Sequence, residues 1–195
     1  MRWSKVLAVM SVLAMVGVVL TAGGSSASRV VTKATIVNGA GQEIGTVKFT
    51  VEKNGGVLGK VDVVLPTSVN EFHGMHLHAN AAGLGCVPGG FTEVGGHWDV
   101  GGHTHGNHTG DLPSLVRQSD GDAEATFVFD RAAVPDLVGK ALIIHAGADN
   151  FGNVPLGTAS NQYTDNGTAY NVSPGTAFTG NAGARIGCGV LVTGD

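Results

Sequence analysis

Short runs of β-branched and aromatic residues, each closed by a turn signal, set the strongest limit on how this chain can fold. In Thr46-Val47-Lys48-Phe49-Thr50-Val51, the residues Val47, Phe49 and Val51 share one face and polar residues take the other. That is the two-residue period of a half-buried strand. Comparable runs occupy Val30–Val37, Glu43–Glu52, Val57–Leu65, Leu112–Val116, Glu124–Phe129, Ala141–His145 and Ile186–Val192. Asn38-Gly39, Asn54-Gly55-Gly56 and Asp120-Gly121 punctuate them as turns, the second closely enough for a hairpin. No long stretch carries a 3.6-residue period. About eight strands at turn-punctuated spacing predict an all-β sandwich or barrel, and 32 glycines with only 13% charged residues suit it better than a helical bundle. Two long segments, Ala79–Thr109 and Gly147–Ala184, break the rhythm, and loops of that length inside one domain are usually functional.

The first residues read as an export address. Met1-Arg2-Trp3-Ser4-Lys5 is a basic start, Val6–Leu20 is an apolar run, and small residues follow. Ser25 and Ala27 fit the small-residue positions of a signal peptidase site, so residues 1–27 are expected to be cleaved, leaving a single domain over 28–195. The run is short for a membrane span, which needs about 20 apolar residues; an uncleaved tilted anchor is the alternative. No stable membrane span is expected after cleavage, and localisation is expected in the periplasm, the cell envelope or outside the cell. Without Arg2 and Lys5 the chain keeps 9 basic against 15 acidic residues, near −6. No basic cluster exists, which argues against nucleic acid as a partner. Cys86 and Cys188 are the only cysteines, and an even count in an exported chain reads first as a disulfide.

The histidines carry the chemistry. Seven of the eight (His73, His76, His78, His97, His103, His105 and His108) fall within 36 residues, and His145 ends an apolar strand. In a strand His76 and His78 point to the same face while Met75 and Leu77 point to the other, so two imidazole nitrogens are offered to one metal. Between His97 and Asp111, glycines let the backbone fold back so that several side chains converge. Histidines with one carboxylate suit tetrahedral Zn²⁺, and imidazole-rich sites with an open position suit copper. The competing readings are a solvated His/Gly-rich loop, and for His145 a hydrogen-bonded core residue.

Four segments together resemble the copper–zinc superoxide dismutases: Phe72-His73-Gly74-Met75-His76-Leu77-His78, Gly95-Gly96-His97-Trp98-Asp99, His108-Thr109-Gly110-Asp111-Leu112, and Gly180-Asn181-Ala182-Gly183-Ala184-Arg185-Ile186-Gly187-Cys188-Gly189-Val190. They stand in family order and span the mature chain. The resemblance implies an eight-stranded antiparallel Greek-key β-barrel or sandwich with two long functional loops, one metal-binding and one electrostatic. It implies a copper ion held by His76, His78, His97 and His145, and a zinc ion held by His97, His105, His108 and Asp111, with His97 bridging. His105 stands eight residues after His97, as is usual in the family, while His103 also lies in reach and competes for that position; the zinc segment is shorter than usual between His105 and His108. The same resemblance implies a Cys86–Cys188 disulfide, an active-site arginine at Arg185, a structural role for His73, and Asp149 linking copper and zinc ligands by hydrogen bonds. The expected activity is disproportionation of superoxide, the small-molecule substrate, to dioxygen and hydrogen peroxide. A homodimer is a possible assembly. The alternatives are a copper-only dismutase, a non-enzymatic copper-binding protein on the same fold, and a structural β-sandwich with incidental histidines.

Overall fold

The computed structural model describes residues 31–52, 55–66, 71–152, 164–165, 168–169 and 178–194; the expected signal segment 1–27 and most of 153–177 lie outside them. The strands in chain order are β1 (Val31–Asn38), β2 (Glu43–Val51), β3 (Val57–Val64), β4 (Phe72–His73), β5 (Met75–His78), β6 (Leu115–Val116), β7 (Asp122–Phe129), β8 (Ala141–His145), β9 (Thr164–Asp165), β10 (Thr168–Ala169), β11 (Arg185–Val190) and β12 (Val192–Gly194). The main sheet is antiparallel in the order β5-β8-β11-β1-β2-β3-β7, with β12 also on β1. Its two edges are tied together by the segment 111–118. On one side β6 pairs with β4 and Asp111 bridges to His76; on the other, Arg117 bridges to Ala123 at the start of β7. If β4 with β5 and β11 with β12 each count as one strand, eight strands curl into a barrel, and the crossings from β3 to β4 and from β7 to β8 give it Greek-key order.

The turns follow their residues. Asn38 Oδ1 accepts hydrogen bonds from Ala40 N at 2.9 Å and Gln42 N at 3.0 Å, closing β1 onto β2. The β2–β3 hairpin is in register from Gly45↔Val63 to Val51↔Val57, around the Asn-Gly-Gly segment. Leu112–Val116 is extended but is a ladder strand only at Leu115–Val116, because Pro113 has no N–H to donate. Likewise Ile186–Val192 is interrupted at Leu191, whose N–H goes to Lys140 O at 2.8 Å, and the chain resumes as β12 on β1.

Alternation sends Ile36, Val47, Phe49, Val61, Leu77, Leu142 and Ile144 into the barrel, all fully buried, each contributing roughly 1.5–3 kcal/mol. A second, smaller cluster forms outside the barrel wall. Phe91 and Val94, from the first long loop, pack on Ala141, Ile143 and Cys188, which face outward from β8 and β11. The Cys86–Cys188 disulfide fastens the same loop to β11. The loop therefore roofs the outward face of β5 and β8, and all nine residues of these two strands are buried.

Candidate metal centre

His76 and His78 leave β5 on this roofed outer face, because Met75 and Leu77 fill the barrel. Two extended segments flank that end of β5. His78 bridges to His97 on one and His76 to Asp111 on the other, with Trp98 N donating to Leu77 O at 2.7 Å and Leu77 N to Gly110 O at 2.8 Å. Backbone pairing thus delivers His97 and Asp111 to the histidines of β5. His145, the last residue of β8, shares the outward side with Ile143. A register shift between Arg185 and Gly187 sets Arg185 opposite His145; without that extra residue Arg185 would point into the barrel.

Two donor groups result. His76, His78, His97 and His145 each present a nitrogen, all within 4.8 Å of one another. His76 Nδ1, His78 Nε2, His97 Nε2 and His145 Nε2 are buried without a hydrogen-bond partner among the described residues. The other nitrogen of three of these rings is fixed: His78 Nδ1 donates to Gly95 O at 2.9 Å, His145 Nδ1 to Gly183 O at 2.9 Å and His76 Nε2 to Asp149 Oδ2 at 2.5 Å. Tying one nitrogen fixes the tautomer and aims the other, as metal-binding histidines require. Burial lowers the pKa of all four, of His78 to about 2, of His145 to about 3 and of His97 to about 4, so they stay neutral with lone pairs available.

The second group centres on Asp111 Oδ1. It lies 3.2 Å from His97 Nδ1, 3.2 Å from His105 Nδ1 and 3.3 Å from His108 Nδ1, and His97 Nδ1 lies 3.3 Å from His108 Nδ1. Donors on a tetrahedron with bonds of about 2.0–2.1 Å are about 3.3–3.4 Å apart, and these four distances are close to that; His97, His105 and Asp111 each offer an atom within 4.8 Å of the others, a group to which His108 does not belong. His76 also falls within 4.8 Å of His97, His105 and Asp111, but its Nε2 is taken by Asp149, leaving Nδ1 for the first group. His97 faces both groups, one nitrogen to each. Against the cost of burial, the carboxylates of Asp111 and Asp149 push the pKa of His105 up to about 9, while the histidines hold both carboxylates below their usual range despite burial.

Asp149 joins the halves: besides His76 it accepts from His105 Nε2 at 2.7 Å and from Phe151 N at 2.7 Å, both on Oδ1. His103, the competitor for the zinc position, is turned away. Its exposed ring sits 2.8 Å from Asp99 Oδ1 and its N–H donates to Asp99 Oδ2 at 2.6 Å. His73 is buried with Nδ1 donating to His145 O at 2.7 Å, outside both groups. Arg185 donates from Nη1 to Phe91 O at 2.6 Å and from Nη2 to Gly95 O at 2.7 Å; the Gly95 carbonyl therefore orients both Arg185 and His78. The expected electrostatic segment 147–184 lies largely outside the described residues. Three contributors have roles that the sequence alone does not assign: the Gly95 carbonyl and Asp99, both inside the Gly95-to-Asp99 motif, and Arg131, outside every motif, whose Nη1 donates to His108 O at 2.5 Å. Only a contact across the fold shows them.

The comparisons agree with this geometry. The family model described as "Copper/zinc superoxide dismutase (SODC)" matches residues 43–191. A protein named "Superoxide dismutase [Cu-Zn]" from Mycolicibacterium paratuberculosis is 36% identical over 173 residues, covering 79% of this chain and 70% of the relative. One of the same name from Mycobacterium bovis is 39% identical over 137 residues, covering 63% of this chain and 54% of the relative, so this chain spans about half the length of that protein. The solved "Cu/Zn superoxide dismutase from Brucella abortus" superposes with a TM-score of 0.58 at 26% identity, covering 82% of this chain and 98% of that one. With three of the family's motifs supplying His76, His78, His97, His108 and Asp111 to two adjoining donor groups and the fourth setting Arg185 opposite His145, the chain belongs to the copper/zinc superoxide dismutase family.

Proposed function

We propose that the protein is an exported superoxide dismutase in which His76, His78, His97 and His145 hold copper, and His97, His105, His108 and Asp111 hold zinc. The observation that supports the reading is the buried set of four imidazole nitrogens with no hydrogen-bond partner among the described residues, of which three are aimed by a hydrogen bond at the far side of the ring. An unsatisfied buried polar group costs about 1–3 kcal/mol; four facing one another are a cation site. Copper cycling between two oxidation states would supply the electron transfer by which two superoxide ions and two protons become dioxygen and hydrogen peroxide.

The chain's own residues then do the rest. His97 can take up and release a proton at Nε2, the atom facing the other three histidines, while Nδ1 stays among Asp111 and His108; we assign it the proton delivered to the departing peroxide. Arg185 is held rigid by two carbonyls, which leaves three of its five N–H donors for an incoming anion beside His145. Asp149 keeps the His76 and His105 rings in the tautomers that each donor group needs. The approach of His97, His105 and His108 to one Asp111 oxygen favours a two-metal site over a copper-only one.

Export is supported by the disulfide, which persists in oxidising compartments, and by the cleavable address at residues 1–27. Among the described residues no helix is long and apolar enough to cross a membrane. Nucleic acid is not expected as a partner, and the possible homodimer is checked by light scattering of the mature chain. The deciding experiment is superoxide turnover by the metal-replete protein, compared with His145→Ala and Arg185→Ala. High turnover lost in both variants supports the enzyme. Inactivity of the fully copper-loaded wild type would leave the non-enzymatic copper-binding reading in its place.

A further inference from the structure

We infer that Arg131 is a positioning residue for the zinc half, the strut that registers a shortened metal loop to the barrel; the inference rests on the zinc assignment above. Three of the four donors of that half, His105, His108 and Asp111, come from seven consecutive residues with no ladder strand among them. Gly106 makes the reversal at φ +91°, a conformation that strains any residue with a Cβ. A Cβ there would also run into Phe151 O. Within the turn His108 O accepts from Asp111 N at 3.2 Å, and a carbonyl with two lone pairs can take a second donor from outside the loop.

Arg131 supplies that donor. It follows β7 by two residues, so its backbone is fixed to the barrel rather than to the loop. Nη1 donates to His108 O at 2.5 Å and lies 3.5 Å from Asp111 O, while Nη2 lies 3.5 Å from Gly106 O. One planar guanidinium therefore spans the glycine that turns the loop and the backbones of two donors. The fork geometry matters, because an ammonium is a point donor that cannot reach three carbonyls at fixed angles. The same arginine lines a cleft of about 270 Å³ with Gly106, Asp111, Val128 and Phe151, so the brace stands at the solvent edge of the zinc half.

The test uses the full mature protein, titrated with zinc ion alone against a chromophoric chelator, and with cobalt(II) as a spectroscopic stand-in for zinc. Arg131→Gln and Arg131→Met are expected to weaken zinc binding 10–100-fold, the usual cost of losing a group that orients ligands. They should also alter the intensity of the cobalt ligand-field bands, with Arg131→Lys between them and the wild type. A role confined to fold stability would lower the unfolding midpoint of the metal-free protein and leave zinc affinity and the cobalt spectrum as in the wild type; that result overturns the inference. Arg131→Lys keeps the test decisive if the neutral variants fail to fold, since unchanged zinc affinity and bands there count equally against it. Failure of the wild type to take up zinc would instead reject the zinc assignment itself, and the inference with it.

Discussion

Replacing Asp149 with Asn tests whether the two halves of the centre depend on one carboxylate. The side chain is 1% exposed, and its two oxygens accept from three donors: His76 Nε2 on Oδ2, and His105 Nε2 with Phe151 N on Oδ1. Asparagine keeps the shape but has one acceptor oxygen and a donor NH₂ in place of the other. Whichever way the amide turns, an imidazole N–H then meets an N–H and loses its anchor. A hydrogen bond to a charged group is worth about 1.5–3 kcal/mol, or about one to two decades in an equilibrium constant at 1.4 kcal/mol per decade. Oxygen in the Oδ1 position keeps two donors, His105 Nε2 and Phe151 N, so the amide nitrogen turns to His76 and the copper half should suffer more. The loss there is limited because His78 and His145 are oriented by Gly95 O and Gly183 O, without Asp149. On the zinc side His105 and Phe151 N keep an acceptor but lose its charge. Competition titration of Asp149→Asn should give a loss of copper affinity of up to about 10–100-fold and a smaller loss for zinc. Gly180→Ala should weigh on zinc instead, because its Cβ would collide with Asp149 Oδ1 and His105 Nε2. Unchanged affinity for both metals in folded Asp149→Asn would refute the coupling.

Other expectations follow from separate parts of the molecule. The Cys86–Cys188 bond joins residues 102 apart, so Cys86→Ser/Cys188→Ser should lose up to about 4–5 kcal/mol on the chain-entropy estimate; guanidinium unfolding of the metal-free protein measures it, and a loss below about 1 kcal/mol would discount that estimate here. Lys33, Lys48 and Lys60 stand directly opposite one another across β1, β2 and β3, all exposed. Lys48→Glu should therefore stabilise by a few tenths of a kcal/mol per pair, an effect that thermal unfolding should show at low salt and lose at 1 M salt. No Lys or Arg occurs between residues 147 and 184, so the catalytic rate should gain little from low ionic strength; a steep fall with added salt would show steering from charges elsewhere on the surface.

Much of the fold was legible because strand alternation and turn residues are local signals. The β2–β3 hairpin and the outward pairing of His76 with His78 follow from a two-residue period that the barrel keeps. Boundaries moved where backbone chemistry intervened: Pro113 shortened β6, and Leu191 left the ladder to bond Lys140. Within the centre, residues carried by motifs came together, but the choice between His103 and His105 was not local. Both lie in the same glycine-rich stretch, two residues apart, and either could reach a metal. What separates them is Asp99, which takes the backbone N–H and the ring of His103 and so swings that side chain outward, while Asp111 and Asp149 draw in His105 from opposite sides. On the proposed zinc assignment, the choice is made by where three carboxylates sit in the folded chain. The eight-residue spacing from His97 pointed to His105 but left His103 within reach, and no spacing pointed to Arg131, whose proposed role lies in reaching across 23 residues to a carbonyl. Where a loop is shortened, its geometry passes from its own residues to the groups that brace it, and those groups are visible only after folding.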